Sequence, residues 1–146
     1  MYDTLKTLHS YWAYVVILML VVAIIKTIMG KLSNKEYQAK DLRINLFTLI
    51  VSHIQLFIGL VLYFVSPMFD MWSSMGGEVM KTAGVRLYLV EHPIINILAI
   101  ILITVGFSKH KKKSASKAKF NTILIFYILG LVLLLSRIPW SVWPKL

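Results

Sequence analysis

Four apolar stretches, 8–29, 44–66, 88–107 and 120–143, occupy most of this chain. Each is near the about 20 residues that cross hydrocarbon as a helix. A bilayer core offers no water to unpaired amides, so each segment must close its own backbone hydrogen bonds. The expected fold is therefore all-α, an integral membrane four-helix bundle forming a single domain over 1–146. With 58% hydrophobic residues and a mean hydropathy of +0.75, no stretch is left for a separate soluble domain. The first stretch is too long for a signal-peptide core and no small-residue cleavage site follows it, so it is expected to stay as a helix.

Charge then orients the bundle. Lys31, Lys35, Lys40 and Arg43 lie between the first two stretches, and Lys109, Lys111, Lys112, Lys113, Lys117 and Lys119 between the last two. The other side carries Lys6, Lys81, Arg86, Arg137 and Lys145, offset by Asp3, Asp70, Glu78 and Glu91. Basic loops stay in the cytoplasm, so both termini are expected on the outer side. The net charge of +10 is thus topological. No aromatic residues interleave the basic run to make a nucleic-acid surface, and the expected partner is the lipid bilayer with its anionic headgroups. His110, inside that run, reads as an ordinary loop residue outside the membrane.

The absence of cysteine excludes disulfides, thiolate metal sites, iron–sulfur ligation and covalent c-type haem attachment. Walker loops, G-x-G-x-x-G, nucleophile elbows and H-E-x-x-H are absent too. The residues present offer no soluble-enzyme chemistry. The outer connection, Pro67 to Leu87, predicts a short interfacial helix over Glu78–Thr82 ended by Gly84. Trp12, Trp72, Trp140, Trp143, Tyr11 and Tyr88 read as an aromatic belt at the outer boundary.

Ionisable residues within apolar segments are functional candidates. At about 1.5 Å per residue, His9 lies roughly 27 Å above the cytoplasmic ends, His92 roughly 24 Å, Arg137 roughly 27 Å and His53 about 15 Å. His9 shares a helical face with Ala13, Val16, Leu20, Ala23, Thr27 and Gly30, and His92 with Asn96, Ala99, Ile103 and Gly106. Small residues on such faces permit close helix approach. Both imidazoles thus point inward, and in a bundle with short loops the first and third helices are diagonal, so the two rings face one another. Pro93 disfavours helical geometry at His92, where the helix is expected to begin or kink. Glu91 is expected on a different face.

Two facing imidazoles suit haem iron, which takes axial ligands on both sides of its ring. The competing reading is two interface histidines that hydrogen-bond to headgroups or neighbouring helices. Arg137 either snorkels to the interface or pairs with a haem propionate, and Arg86 is a second candidate for that role. The stripe Asn45, Thr48, Ser52, Gln55, Gly59 and Tyr63 should pack inward, with His53 about 120° from its centre, at 100° per residue. His53 admits three roles: a third ligand to a deeper haem, a proton-linked residue beside a quinone, or a polar contact with a neighbouring helix or subunit.

The strings His9-Ser10, Ser52-His53-Ile54-Gln55 running to Gly59, Glu91-His92-Pro93 and Ser136-Arg137-Ile138-Pro139-Trp140 resemble a family of small bacterial membrane proteins labelled cytochrome b-like, over essentially the whole chain. More distantly, a histidine on the first and third of four helices is similar to one half of a haem A synthase. This chain has only one such half and no cysteine pair in its outer loop. The resemblance implies a bacterial inner membrane location and haem b held by His9 and His92, without a specific reaction. The expected function is electron transfer in or beside a respiratory complex, with its subunits as partners. The alternatives are an accessory or assembly subunit without haem, and a membrane enzyme acting on quinone or haem.

Overall fold

The computed structural model describes residues 1–144; Lys145, counted above among the outer charges, lies outside the described residues. Four long helices form, α1 Tyr2–Leu32, α2 Ala39–Val65, α3 Ala83–Lys111 and α4 Ser116–Ser136. All are long and apolar enough to span a membrane, so this is a multi-pass membrane protein. α1 packs on α2 and α4, and α3 packs on the same two. α1 and α3 are therefore diagonal across the bundle, as the short connections require. Short connections 33–38 and 112–115 close one end, called here the loop end. The terminal end holds both chain ends and the 66–82 connection, built from short helical turns at Pro67–Asp70, Met71–Met75 and Glu78–Lys81.

The small-residue faces carry the packing. Val16, Leu20, Ala23, Thr27 and Gly30 of α1 are buried, as are Ala99, Ile103 and Gly106 of α3. Phe120 lies on Gly30, Phe126 on Gly106 and Ile103 on Gly130, each where a Cβ would sit closer than van der Waals contact. In lipid no hydrophobic force separates helix from solvent, so such interdigitation is a main source of cohesion. The buried residues of α1 run from Val16 to Gly30 and those of α4 from Phe120 to Gly130. The core thus fills the middle and loop end, and at the terminal end Val79 and Leu89 are also buried.

Several expectations need correction. α4 stops at Ser136 instead of continuing to Trp143, and Pro139 is consistent with this because it cannot donate to a helical ladder. The following segment folds back over the bundle: the Trp143 indole donates to the Ser10 carbonyl at 3.3 Å and stacks on Tyr14 at 4.7 Å. Trp12 is likewise no simple belt residue, since its indole donates to the Val51 carbonyl at 2.9 Å and packs against the core. Gly84 does not end a helix but lies within Ala83–Arg86, which leads through a π-helical turn, Leu87–Glu91, into His92–Lys111. The expectation at His92 holds: the regular α-helix begins there, after the π-helical turn, with Pro93 in its first turn, where its missing N–H costs little.

His110 is the largest departure. It is not a loop residue: α3 runs through it to Lys111 and its side chain is 0% exposed. Its Nε2 meets the Tyr37 hydroxyl at 2.8 Å, Asn45 donates to that hydroxyl at 3.0 Å, and Nδ1 bonds the Phe107 carbonyl. Tyr127, also buried, donates to the Asn45 carbonyl at 2.8 Å, and the Tyr37 amide donates to Ser116 Oγ at 2.8 Å. One polar network thereby ties both basic loops to the bundle.

Candidate functional site

At the terminal end α1 and α3 bring His9 and His92 together across the bundle diagonal. The ring centres are 6.1 Å apart and the planes are inclined at 75°. Helical phase does this. Each histidine continues the face that is buried further down its helix, and both rings are partly buried.

Each ring has its own support. The Gln55 amide donates to the His9 carbonyl at 2.9 Å, fixing α1 on α2 at that level. The Nδ1–Cε1 edge of His9 lies over Gly59, where a Cβ would stand 3.0 Å from Cε1 and 3.4 Å from Nδ1. Glycine here leaves space that the imidazole fills. His92 Nδ1 lies 2.8 Å from the Arg137 carbonyl. A carbonyl only accepts, so Nδ1 carries the proton and Nε2 keeps its lone pair. Tying the far nitrogen of a histidine to a backbone carbonyl fixes tautomer and ring orientation, as it does around metal-bound imidazoles.

Arg137 lies just beyond α4 and is held twice. Its Nε is 3.3 Å from one Glu91 oxygen and its Nη1 donates to the Ser136 carbonyl at 3.0 Å. The other Glu91 oxygen takes Arg86 Nε at 2.7 Å, and Arg86 Nη1 donates to the Met80 carbonyl at 2.7 Å. Glu91, expected to play no part at this face, is therefore the hub between both arginines named from the sequence. Two guanidiniums on one carboxylate leave an excess positive charge beside His92. An opposite-charge pair at the same level of neighbouring helices was the available signal for Glu91.

His53 does not join this group. It is exposed on the lipid-facing side of α2, with Nδ1 2.9 Å from the Leu49 carbonyl and Nε2 3.3 Å from Thr104 Oγ1 of α3. The inward stripe holds as expected: Asn45, Thr48 and Ser52 are buried, and the Tyr63 hydroxyl donates to the Leu89 carbonyl at 3.1 Å.

Among the described residues, the buried side-chain polar atoms without a partner are His9 Nδ1, Gln55 Oε1 and the Tyr14 hydroxyl. All three belong to the terminal end, two of them to the pair of residues joined at the α1–α2 contact. Buried polar atoms normally find partners, and those that do not mark strain or an uncounted ligand.

The separation of the rings bears on what they can hold. A metal–nitrogen bond of about 2.0–2.1 Å places a metal about 3 Å from an imidazole centre, so two imidazoles on opposite sides of one metal have centres about 6 Å apart. Among the described residues no group of three or more His, Cys, Asp or Glu gathers at one point. A bare structural metal wants four ligands, whereas iron already held in a macrocycle needs only the axial two. The described residues at this end supply two imidazoles, the number that second case requires. No family model, curated protein or solved structure matches this chain.

Proposed function

We propose that this protein is a b-type haem-binding membrane protein of the bacterial inner membrane, with both termini outward, that carries electrons in or beside a respiratory complex. The observation that carries the reading is the His9–His92 ring separation of 6.1 Å, joined to a His92 tautomer that leaves Nε2 free. Bis-imidazole haem supplies one-electron chemistry without opening a coordination position. His9 and His92 would be the axial ligands. Gly59 and Gln55 set the position of His9, and the Arg137 carbonyl sets that of His92. Arg137 and Arg86 bring positive charge to the same end, where propionates would exchange for Glu91 as guanidinium partners.

The outward placement of this site follows from the basic loops at the opposite end. The resemblance to cytochrome b-like proteins and to half of a haem A synthase points the same way. An accessory subunit without haem is the second reading, favoured by the contact already made between the two rings.

Protein purified in mild detergent from haem-replete cells should give a reduced-minus-oxidised b-type spectrum. His9→Ala or His92→Ala should abolish it while the protein still inserts, and His110→Ala should retain it. A colourless wild-type protein would select the accessory-subunit reading.

A further inference from the structure

His53 stands about 15 Å above the loop end, counted at 1.5 Å per residue from Arg43, and is exposed where lipid tails would lie. Ionisable side chains at such depth nearly always face the bundle interior or a cavity. The hydrogens around it can be assigned. The Leu49 carbonyl accepts from Nδ1 at 2.9 Å, so in the neutral imidazole Nε2 is an acceptor. Its neighbour Thr104 has one hydroxyl proton, and the Ile100 carbonyl at 2.7 Å takes it in preference to Nε2 at 3.3 Å. Two acceptors, Nε2 and Thr104 Oγ1, are left side by side without a donor. Lipid tails supply none.

Open apolar grooves flank this pair. One is lined by Leu49, Ile54 and Phe57, the other by Leu56, Ile97 and Ile101. The missing partner is therefore a hydroxyl donor on an apolar body that can lie in mid-membrane. Lipid alcohols anchored at the headgroup layer keep their hydroxyl too shallow. A second copy of this chain related by a two-fold axis would bring the same two acceptors to the contact. A quinol meets all three conditions: a phenolic O–H, a flat apolar ring and a tail that follows a groove.

We propose that the His53–Thr104 cleft between α2 and α3 binds a membrane-soluble quinol, whose hydroxyl donates to His53 Nε2. The site is separate from the His9–His92 pair, since His53 is six residues from Gly59, about 9 Å along α2, and it stands whether or not haem is bound.

The test uses the full chain in lipid nanodiscs under reductant, with a decyl-tailed benzoquinol, its dimethyl ether and a long-chain alcohol as probes, each corrected against empty discs. The wild-type protein should bind the quinol at least tenfold more tightly than the ether or the alcohol. His53→Phe should bring the quinol down to the level of the ether, while His53→Gln, which keeps an acceptor, should restore part of the difference. Equal binding of quinol and ether to the wild type would overturn the proposal without recourse to any variant. So would quinol affinity unchanged by His53→Phe, an alcohol that binds as tightly as the quinol, or a dimer population, counted per nanodisc, that does not fall when quinol is added.

Discussion

The two ends of the bundle use the same materials to opposite effect. At the loop end His110, Tyr37, Asn45 and Tyr127 form a network in which each hydroxyl and ring nitrogen has a partner, beneath tight helix contacts at Gly30 and Gly106. At the terminal end His9, Gln55 and Tyr14 keep buried polar atoms unpartnered, and the glycine opposite His9 admits a ring rather than a neighbouring helix. A satisfied polar network rigidifies and specifies packing. Unspent hydrogen-bonding capacity beside two level imidazoles contributes nothing to folding, and is what a ligand site requires. A histidine inside a membrane bundle is thus informative only together with the fate of its two nitrogens.

Substitutions at the two ends should separate stability from ligand binding. The largest effect is expected at Gly59. Gly59→Leu places a branched side chain where His9 sits and should lower haem loading by at least 100-fold, about 2.7 kcal/mol at 1.36 kcal/mol per decade. Gly59→Ala needs only a few tenths of an ångström of relief against His9 Cε1 and should weaken loading mildly, both read by haem titration of the apoprotein. Gly59→Ala should leave the melting temperature of the apoprotein unchanged.

Tyr37→Phe should behave in the opposite sense. It strips partners from buried His110 and from Asn45, at a cost of about 1–3 kcal/mol, and should lower the melting temperature without changing the haem spectrum. Burial also pushes the Tyr37 phenol up to about 12, above its unfolded value near 10. The folded state favours the protonated form. That contribution is fully present below about pH 10 and lost as pH rises through 12. Detergent melting curves should therefore hold up to about pH 10 and fall beyond it, less steeply in Tyr37→Phe.

Much of this contrast was legible in the sequence. Hydropathy gave the four helices because a span must be long and continuous, and the 3.6-residue period marked the faces of His9, His92 and the Asn45-to-Tyr63 stripe. The loop-end network was hidden because the lysines around His110 resemble a solvated loop, while its cover, Tyr37, lies 73 residues away in sequence. The end of α4 was misjudged because Trp140, Val142 and Trp143 are apolar enough to extend a span, although Pro139 interrupts it. Glu91 was set aside on the phase of a regular helix. The π-helical turn at Leu87–Glu91 has a wider repeat, and its carboxylate reaches Arg137 and Arg86 rather than His92 itself.

The smallest expected effect concerns that carboxylate. If haem is held as proposed, Arg137→Gln removes a positive charge near it and should lower the midpoint potential, because positive charge favours the form with one more electron. Glu91→Gln should raise it. For Arg137→Gln, an effective dielectric near 20 and a separation of about 10 Å give roughly 1–2 kcal/mol before solvent screening reduces it, several tens of millivolts at most for one electron. Redox titration of the two variants should give shifts of opposite sign. Shifts of the same sign would remove the Glu91 cluster from the electrostatics of the site.

The most direct measurement is low-temperature electron paramagnetic resonance of the oxidised, haem-loaded protein. If His9 and His92 hold haem at the 75° inclination of their rings, the iron orbitals that mix with them would be nearly equal in energy. The expected spectrum is low-spin and strongly anisotropic, and it should disappear in both His9→Ala and His92→Ala. A high-spin signal from the wild-type protein, or a low-spin signal that survives either substitution, would contradict the assignment of His9 and His92 as the axial pair.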